Sequence, residues 1–301
     1  MKDLFPHVLI TGGSGYLGRH LTYYLSRQGF PVIANYFRHP VFDSRIRFFP
    51  LDLTLQESVV GMLQAYPIDV IIHTAYERDD RDGIITVGTQ NVMELARLKG
   101  ANLIHLSTDL VFSGQNGFYS EEDVAEPVME YGKHKLEAER IVQSYDQAAI
   151  IRTSLIYCMN HIPPHFRFAY QRLKEGQAVK FFVDEIRNPV FVDDLNAFIA
   201  WLIWNFQSGI YHFAGPSSYS RYELGWLMAQ RFVPESEKLI MTASLSESAD
   251  LRAADCSLNS EKARQLSGLH PRSVNDILKS HCQCQFSRQR KRYDYPKITH
   301  L

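Results

Sequence analysis

Cysteine is scarce in this sequence and follows no disulfide-framework spacing: Cys158, Cys256, Cys282 and Cys284 are the four in 301 residues, with no C-x-x-C pair among them. They read as free thiols. His281-Cys282-x-Cys284 lacks the second cysteine pair that a zinc site of this kind needs, so no metal is expected. A surplus of one charge is missing too. The 32 basic and 33 acidic residues leave a formal net charge of −1, which argues against a nucleic-acid partner or an anionic membrane drawn in by an overall field. Long apolar runs are absent: the longest, residues 197–204, falls far short of the roughly 20 residues that cross a bilayer. Met1 to Pro6 carries an acid and a proline where a signal peptide needs its apolar stretch. There are no internal repeats. What remains is an ordinary globular mixture, 45% hydrophobic and 22% charged, with apolar side chain enough for a sizeable core. The expectation is a soluble, cytoplasmic protein whose length suits two domains at about 150 residues each.

The first half alternates two periodicities. Short apolar runs at Val8-Leu9-Ile10, Val32-Ile33-Ala34, Ile46-Arg47-Phe48, residues 69–73, 103–106 and 149–151 read as strands. Helical spacing fills the intervals at 16–27, 58–66, 87–98 and 131–145. Strands separated by helices mean crossover connections, hence a parallel sheet covered on both faces. The fold class is therefore α/β, a doubly wound (Rossmann) domain over residues 1–155. Beyond Arg152, Pro163-Pro164, Asn188-Pro189 and Gly215-Pro216 interrupt shorter elements, with helices expected at 195–204 and 222–231. Residues 156–301 are read mostly as a smaller, irregular substrate domain, with segments around 188–213 returning to the first domain. The basic, aromatic stretch 288–301 reads as a solvated terminus.

Between the first strand and first helix lies Thr11-Gly12-Gly13-Ser14-Gly15-Tyr16-Leu17-Gly18. It fits G-x-x-G-x-x-G through Gly12, Gly15 and Gly18, and G-x-G-x-x-G through Gly13, Gly15 and Gly18. Either way the glycines allow a tight turn, close approach of backbone to a pyrophosphate and seating of the helix on the strand. The helix N-terminus adds unpaired N–H groups and partial positive charge. Gly12, Gly15, Tyr16, Leu17 and Gly18 are the expected cofactor cradle. An NAD site usually places an acid at the end of the second strand, but here that stretch is Asn35-Tyr36-Phe37-Arg38-His39. Arg38 can meet a 2′-phosphate with paired N–H donors. NADP(H) is favoured over NAD(H).

Tyr131 and Lys135 stand four apart on a helix, so both point to one face. The expectation is that the ammonium lowers the phenol pKa, making Tyr131 the proton donor to a carbonyl oxygen, and also holds the nicotinamide ribose. Tyr293 and Lys297 repeat the spacing but enclose Pro296 in the tail and follow no sheet. Thr108, at the end of the fifth strand, can donate to the same carbonyl, or serve as a polar cap on the next turn.

These residues resemble the extended short-chain dehydrogenase/reductase family. Ser107-Thr108-Asp109-Leu110-Val111-Phe112, Phe118-Tyr119-Ser120-Glu121-Glu122, Tyr131-Gly132-x-x-Lys135, Arg187-Asn188-Pro189 and Val192-Asp193-Asp194-Leu195 look most like dTDP-4-dehydrorhamnose reductases. The resemblance implies an NAD(P)H-dependent oxidoreductase acting on a nucleotide-linked keto sugar, with Thr108, Tyr131 and Lys135 as the catalytic set. It implies Asp52 and Leu53 near the adenine and Ala75 in the cofactor cleft. It also leaves room for two other activities: a non-catalytic NADP-binding regulatory subunit like the methionine adenosyltransferase beta subunit, and a nucleotide-sugar epimerase or dehydratase. A homodimer is allowed. The sequence departs from the family pattern at Ile85 and at Cys158, where many members carry asparagine and glycine.

Overall fold

The computed structural model describes residues 5–64, 66–78, 80 and 83–286. Six strands of its central sheet arise in the first half: β1 (Val8–Thr11), β2 (Val32–Tyr36), β3 (Arg47–Pro50), β4 (Val70–His73), β5 (Asn102–Thr108) and β6 (Ala148–Thr153). A seventh strand, Gly209–His212, pairs with β6. The order across the sheet is Gly209–His212, β6, β5, β4, β1, β2, β3, and every pairing is parallel.

Alternation along the strands explains the short apolar runs. Ile10, Ile72, Ile104 and Ala149 lie in register and project into the larger core with Leu21 and Leu25 of α1 (Tyr16–Arg27). Leu9, Ile71 and Leu103 project to the other face. They pack there with Val59 of α2 (Gln56–Leu63), Val92 and Leu95 of α3 (Val87–Lys99) and Val142 of α4 (Glu130–Gln143). Both faces are covered, so both sets of positions must be apolar. The chain runs outward from β1 to β2 and β3, then crosses back to β4 on the other side of β1. The crevice beyond the carboxyl ends of β1 and β4 is thus a topological switch point, where open α/β sheets bind ligands.

The second half extends this sheet and roofs its carboxyl edge. α5 (Arg167–Lys174) and α6 (Val192–Trp204) follow β6, and α6 packs on α1. α6 begins three residues before the expected position, because Asp193 and Asp194 sit in its first turn, where carboxylates complement the helix dipole. α7 (Arg221–Phe232) opens with a reciprocal capping box between Ser220 and Glu223. Two-stranded ribbons, Val179–Phe182 with Ile240–Ala243 and Ile186–Arg187 with Tyr219–Ser220, complete the roof. Among the described residues no helix is long and apolar enough to cross a membrane. The side chains of His281, Cys282 and Cys284, the tail 288–301 and its Tyr293/Lys297 pair lie outside the described residues.

Candidate active site

The chain leaves β1 through Gly12, whose φ of +68° lies in the left-handed region. A Cβ there would come within 2.7 Å of Ala75 Cα, and a Cβ on Gly18 within 2.2 Å of Gly12 O. The first glycine makes the turn and the third lets α1 seat upon it. A Cβ on Gly13 would instead meet Ala34 on β2 at 2.6 Å, so Gly13 faces the sheet. Of the two glycine patterns, Gly12/Gly15/Gly18 is the one that borders the cleft. Asn35 supports it: Gly12 N donates to Asn35 Oδ1 at 2.9 Å, and Asn35 Nδ2 donates to Leu51 O at 3.1 Å. In the sequence this stretch stands out for lacking an acid, and nothing local marks the asparagine. Among the described residues α1 has no side-chain N-cap and no acid in its first turn, so its N–H groups and positive end remain for an anion.

The cleft has a volume of about 950 Å³ and runs from this turn to the roof. Gly12, Gly15, Tyr16, Leu17, Gly18, Arg38, Leu53, Ala75, Thr108, Tyr131 and Lys135 all border it. Asp52 lies between two residues that border it, Leu51 and Leu53, but is not itself part of its lining. Its Oδ1 accepts from Thr54 N at 2.9 Å and from Thr54 Oγ1 at 2.7 Å, so the carboxylate closes its own turn while Leu51 and Leu53 face the cleft. Arg38 is exposed at the rim, donating to Glu77 Oε1 at 2.7 Å and lying over the Phe37 ring.

Lys135 is buried. Its Nζ donates to Leu106 O at 2.6 Å and lies 3.2 Å from His105 Nε2, and burial pulls its pKa down to about 8 against the opposing pull of Glu139 and Asp80. The expectation that this ammonium lowers the Tyr131 pKa is overturned. Burial drives the phenol well above its ordinary value, Tyr76 and Asp109 add to the rise, and only Arg78 opposes it. The physical reason is that Nζ is turned to the β5 carbonyl while burial strips the phenol of water. Tyr76 packs beside it, with ring centroids 6.0 Å apart. Beneath Lys135, His105 is held neutral by burial and by the ammonium, and His73, pulled down to about 3 by burial, sits between Thr11 and Thr89 hydroxyls at 2.6 and 2.9 Å.

Thr108 ends β5 and both readings of it meet there. It borders the cleft, yet its Oγ1 donates to Asp109 Oδ1 at 3.0 Å and accepts from Leu110 N at 3.2 Å, capping the short helix Asp109–Val111. Asp109 leads to a charged wall that the sequence did not announce. Its Oδ2 accepts from Ser154 Oγ at 2.6 Å and lies 3.7 Å from Arg187 Nε. Glu185 gathers Arg252 at 2.8 Å, Arg187 at 3.4 Å and Arg221 at 3.9 Å. Burial holds Arg221 down to about 10 although Glu185 pulls it up. Three guanidiniums thus face two carboxylates, leaving the roof side of the cleft with surplus positive charge.

A doubly wound parallel sheet, a glycine-rich βα turn at its switch point, and Tyr and Lys one helical turn apart in the same crevice define an extended short-chain dehydrogenase/reductase. Comparison with known proteins narrows the class. The family model described as RmlD substrate binding domain matches residues 6–285, and the chain belongs to that family. The dTDP-4-dehydrorhamnose reductase of Aggregatibacter actinomycetemcomitans is 27% identical over 300 residues, covering 91% of this chain and 97% of its own. Methionine adenosyltransferase 2 subunit beta of Danio rerio is 28% identical over 258 residues, covering 79% and 78%. Among solved structures, dTDP-4-dehydrorhamnose reductase from Bacillus anthracis str. Ames in complex with NADP superposes with a TM-score of 0.75 at 26% identity, covering 93% of this chain and 98% of that one.

Proposed function

We propose that this chain is an NADPH-dependent reductase of a nucleotide-linked keto sugar, resembling dTDP-4-dehydrorhamnose reductase, with Tyr131 as the proton donor. The observation that carries the reading is the shared cleft: the glycine turn, Thr108 and the Tyr131/Lys135 pair border one cavity although they come from three parts of the chain. The residues fit a dinucleotide. Gly12 and Gly15 leave backbone open where α1 presents its N-terminus, and a volume of about 950 Å³ stands at the upper end of the roughly 300–1,000 Å³ usual for ligand sites. Gly12, Gly15, Tyr16, Leu17 and Gly18 would cradle the pyrophosphate, Leu53 and Ala75 flank the adenine side, and Arg38 meet a 2′-phosphate. When bound, nicotinamide supplies hydride. The protein's part is to hold the carbonyl and deliver the proton. A phenol whose pKa is raised stays protonated at working pH, which suits reduction, where a developing alkoxide takes that proton. Thr108 orients the carbonyl by turning its hydroxyl from Asp109. Lys135, anchored on Leu106 O, holds the ribose. The surplus positive charge at Arg187, Arg221 and Arg252 suits the diphosphate of a nucleotide sugar. In this reading residues 1–155 bind cofactor and most of 156–301 bind substrate.

The similarity to the methionine adenosyltransferase beta subunit favours a second reading, a regulatory subunit that binds NADP without turnover. Mixing the purified protein with NADPH and a panel of dTDP- and UDP-linked keto sugars separates the two. Loss of NADPH absorbance with one of them is expected. Tight NADPH binding with no oxidation across the panel would favour the regulatory role.

A further inference from the structure

The sequence offered no metal site, yet the fold assembles the donors for one. Tyr16 and His20 stand one turn apart on α1, while Cys158 and His161 lie in the loop after Ile156–Tyr157, remote in sequence. The ligand atoms of His20, Cys158 and His161 all lie within 4.8 Å of one another, and among the described residues this is the group of His, Cys, Asp or Glu side chains that meets such a requirement. Cys158 Sγ is 3.8 Å from His161 Nδ1. A tetrahedral zinc ion, with about 2.3 Å to sulfur and 2.0–2.1 Å to nitrogen, separates such atoms by about 3.6 Å. The His20 and His161 rings meet edge-on with centroids 5.4 Å apart, and Tyr16 packs edge-on against His20 at 5.1 Å. His20 and Cys158 are buried, and Tyr16 Oη is buried beside Cys158. A buried sulfur among two imidazoles is the borderline-soft donor set that prefers Zn²⁺ and its congeners over Mg²⁺ or Ca²⁺.

We infer that His20, Cys158 and His161 form a binding site for one divalent transition ion of the zinc type, with the Tyr16 phenol at hand as a fourth donor. Binding breaks the Cys158 S–H bond and forms a sulfur–metal bond, the proton passing to solvent. One thiolate and two neutral imidazoles then leave a single positive charge on the centre. The ion joins α1, just past the glycine turn, to the loop after β6, so it clasps two elements that border the cleft.

The test uses the full-length chain carrying Cys282→Ser and Cys284→Ser, so that the tail thiols take no part, titrated anaerobically with Co²⁺ alone. One equivalent is expected to bind with a thiolate-to-cobalt charge-transfer band and the intense visible absorption of four-coordinate cobalt, and Zn²⁺ is expected to displace it. Cys158→Ser should remove the charge-transfer band. His161→Asn, at a half-buried position, should weaken Co²⁺ at least tenfold while thermal melting shows the fold retained. Absence of a saturable charge-transfer band, its persistence in Cys158→Ser, or an unchanged Co²⁺ affinity in folded His161→Asn would each overturn the site.

Discussion

Tyr131 and Lys135 share a helix face, but their proton affinities are set by different surroundings. The phenol is raised by burial and the amine is lowered by it, to about 8. Replacing Tyr131 with Phe is expected to cut turnover by at least about 10²-fold, the scale of a lost general acid, while NADPH affinity by fluorescence titration stays within a few fold. Lys135 predicts the pH dependence. Its folded-state pKa lies below the unfolded value of 10.5, so between about 8 and 10.5 the unfolded chain holds the extra proton and this residue's contribution to stability rises with pH. Urea midpoints at pH 8 and 10 should show that rise in the wild type and its loss in Lys135→Met. Reductase activity should fall as pH passes 8, because the ammonium that holds the ribose is lost; a rate flat to pH 10 would remove Lys135 from that role. At the rim, Arg38→Asp should raise KM for NADPH far more than for NADH, and equal effects would refute the 2′-phosphate contact.

At the scale of elements, the glycine turn depends on fit to its neighbours. Gly18→Ala places a methyl against Gly12 O, and since backbone cannot yield cheaply the overpacking should cost roughly 1–3 kcal/mol and weaken NADPH binding, read by thermal melting and titration on one preparation. Unchanged melting and affinity would show that α1 can shift to accommodate it. The turn itself was legible from sequence because a strand, clustered glycines and a helix follow one another within a dozen residues. The role of Asn35 was not, since its two hydrogen bonds reach a turn 23 residues earlier and a carbonyl 16 residues later. Asp52 is the opposite case: its position in the sequence draws attention, but a local turn with Thr54 claims its carboxylate.

For the whole molecule, the pair that locks α4 to the sheet is Glu139 and Arg152. Both are buried, with Arg152 Nη2 donating to Glu139 Oε2 at 2.8 Å and Nε to Oε1 at 3.0 Å; Ser107 Oγ also donates to Oε1. Arg152 reaches on to His212 Nε2 at 3.4 Å, so α4, β5, β6 and the strand Gly209–His212 meet at one polar knot. Glu139→Ala leaves a guanidinium buried without its carboxylate and should cost roughly 3–5 kcal/mol, measured as a lowered urea midpoint. A loss below 1 kcal/mol would show that solvent reaches Arg152.

Sequence alone determined the order and type of the main elements, the parallel sheet, the glycine turn and the Tyr131/Lys135 face, because periodicity and turn chemistry act over a few residues and leave a local record. Tertiary structure decided what those groups experience. The raised phenol, the neutral His73 and His105, the arginine wall around Glu185 and the meeting of His20 with Cys158 and His161 all arise from burial and from contacts between distant segments. Desolvation has no counterpart in the spacing of residues along a chain, so only packing could set the charge states on which the chemistry rests.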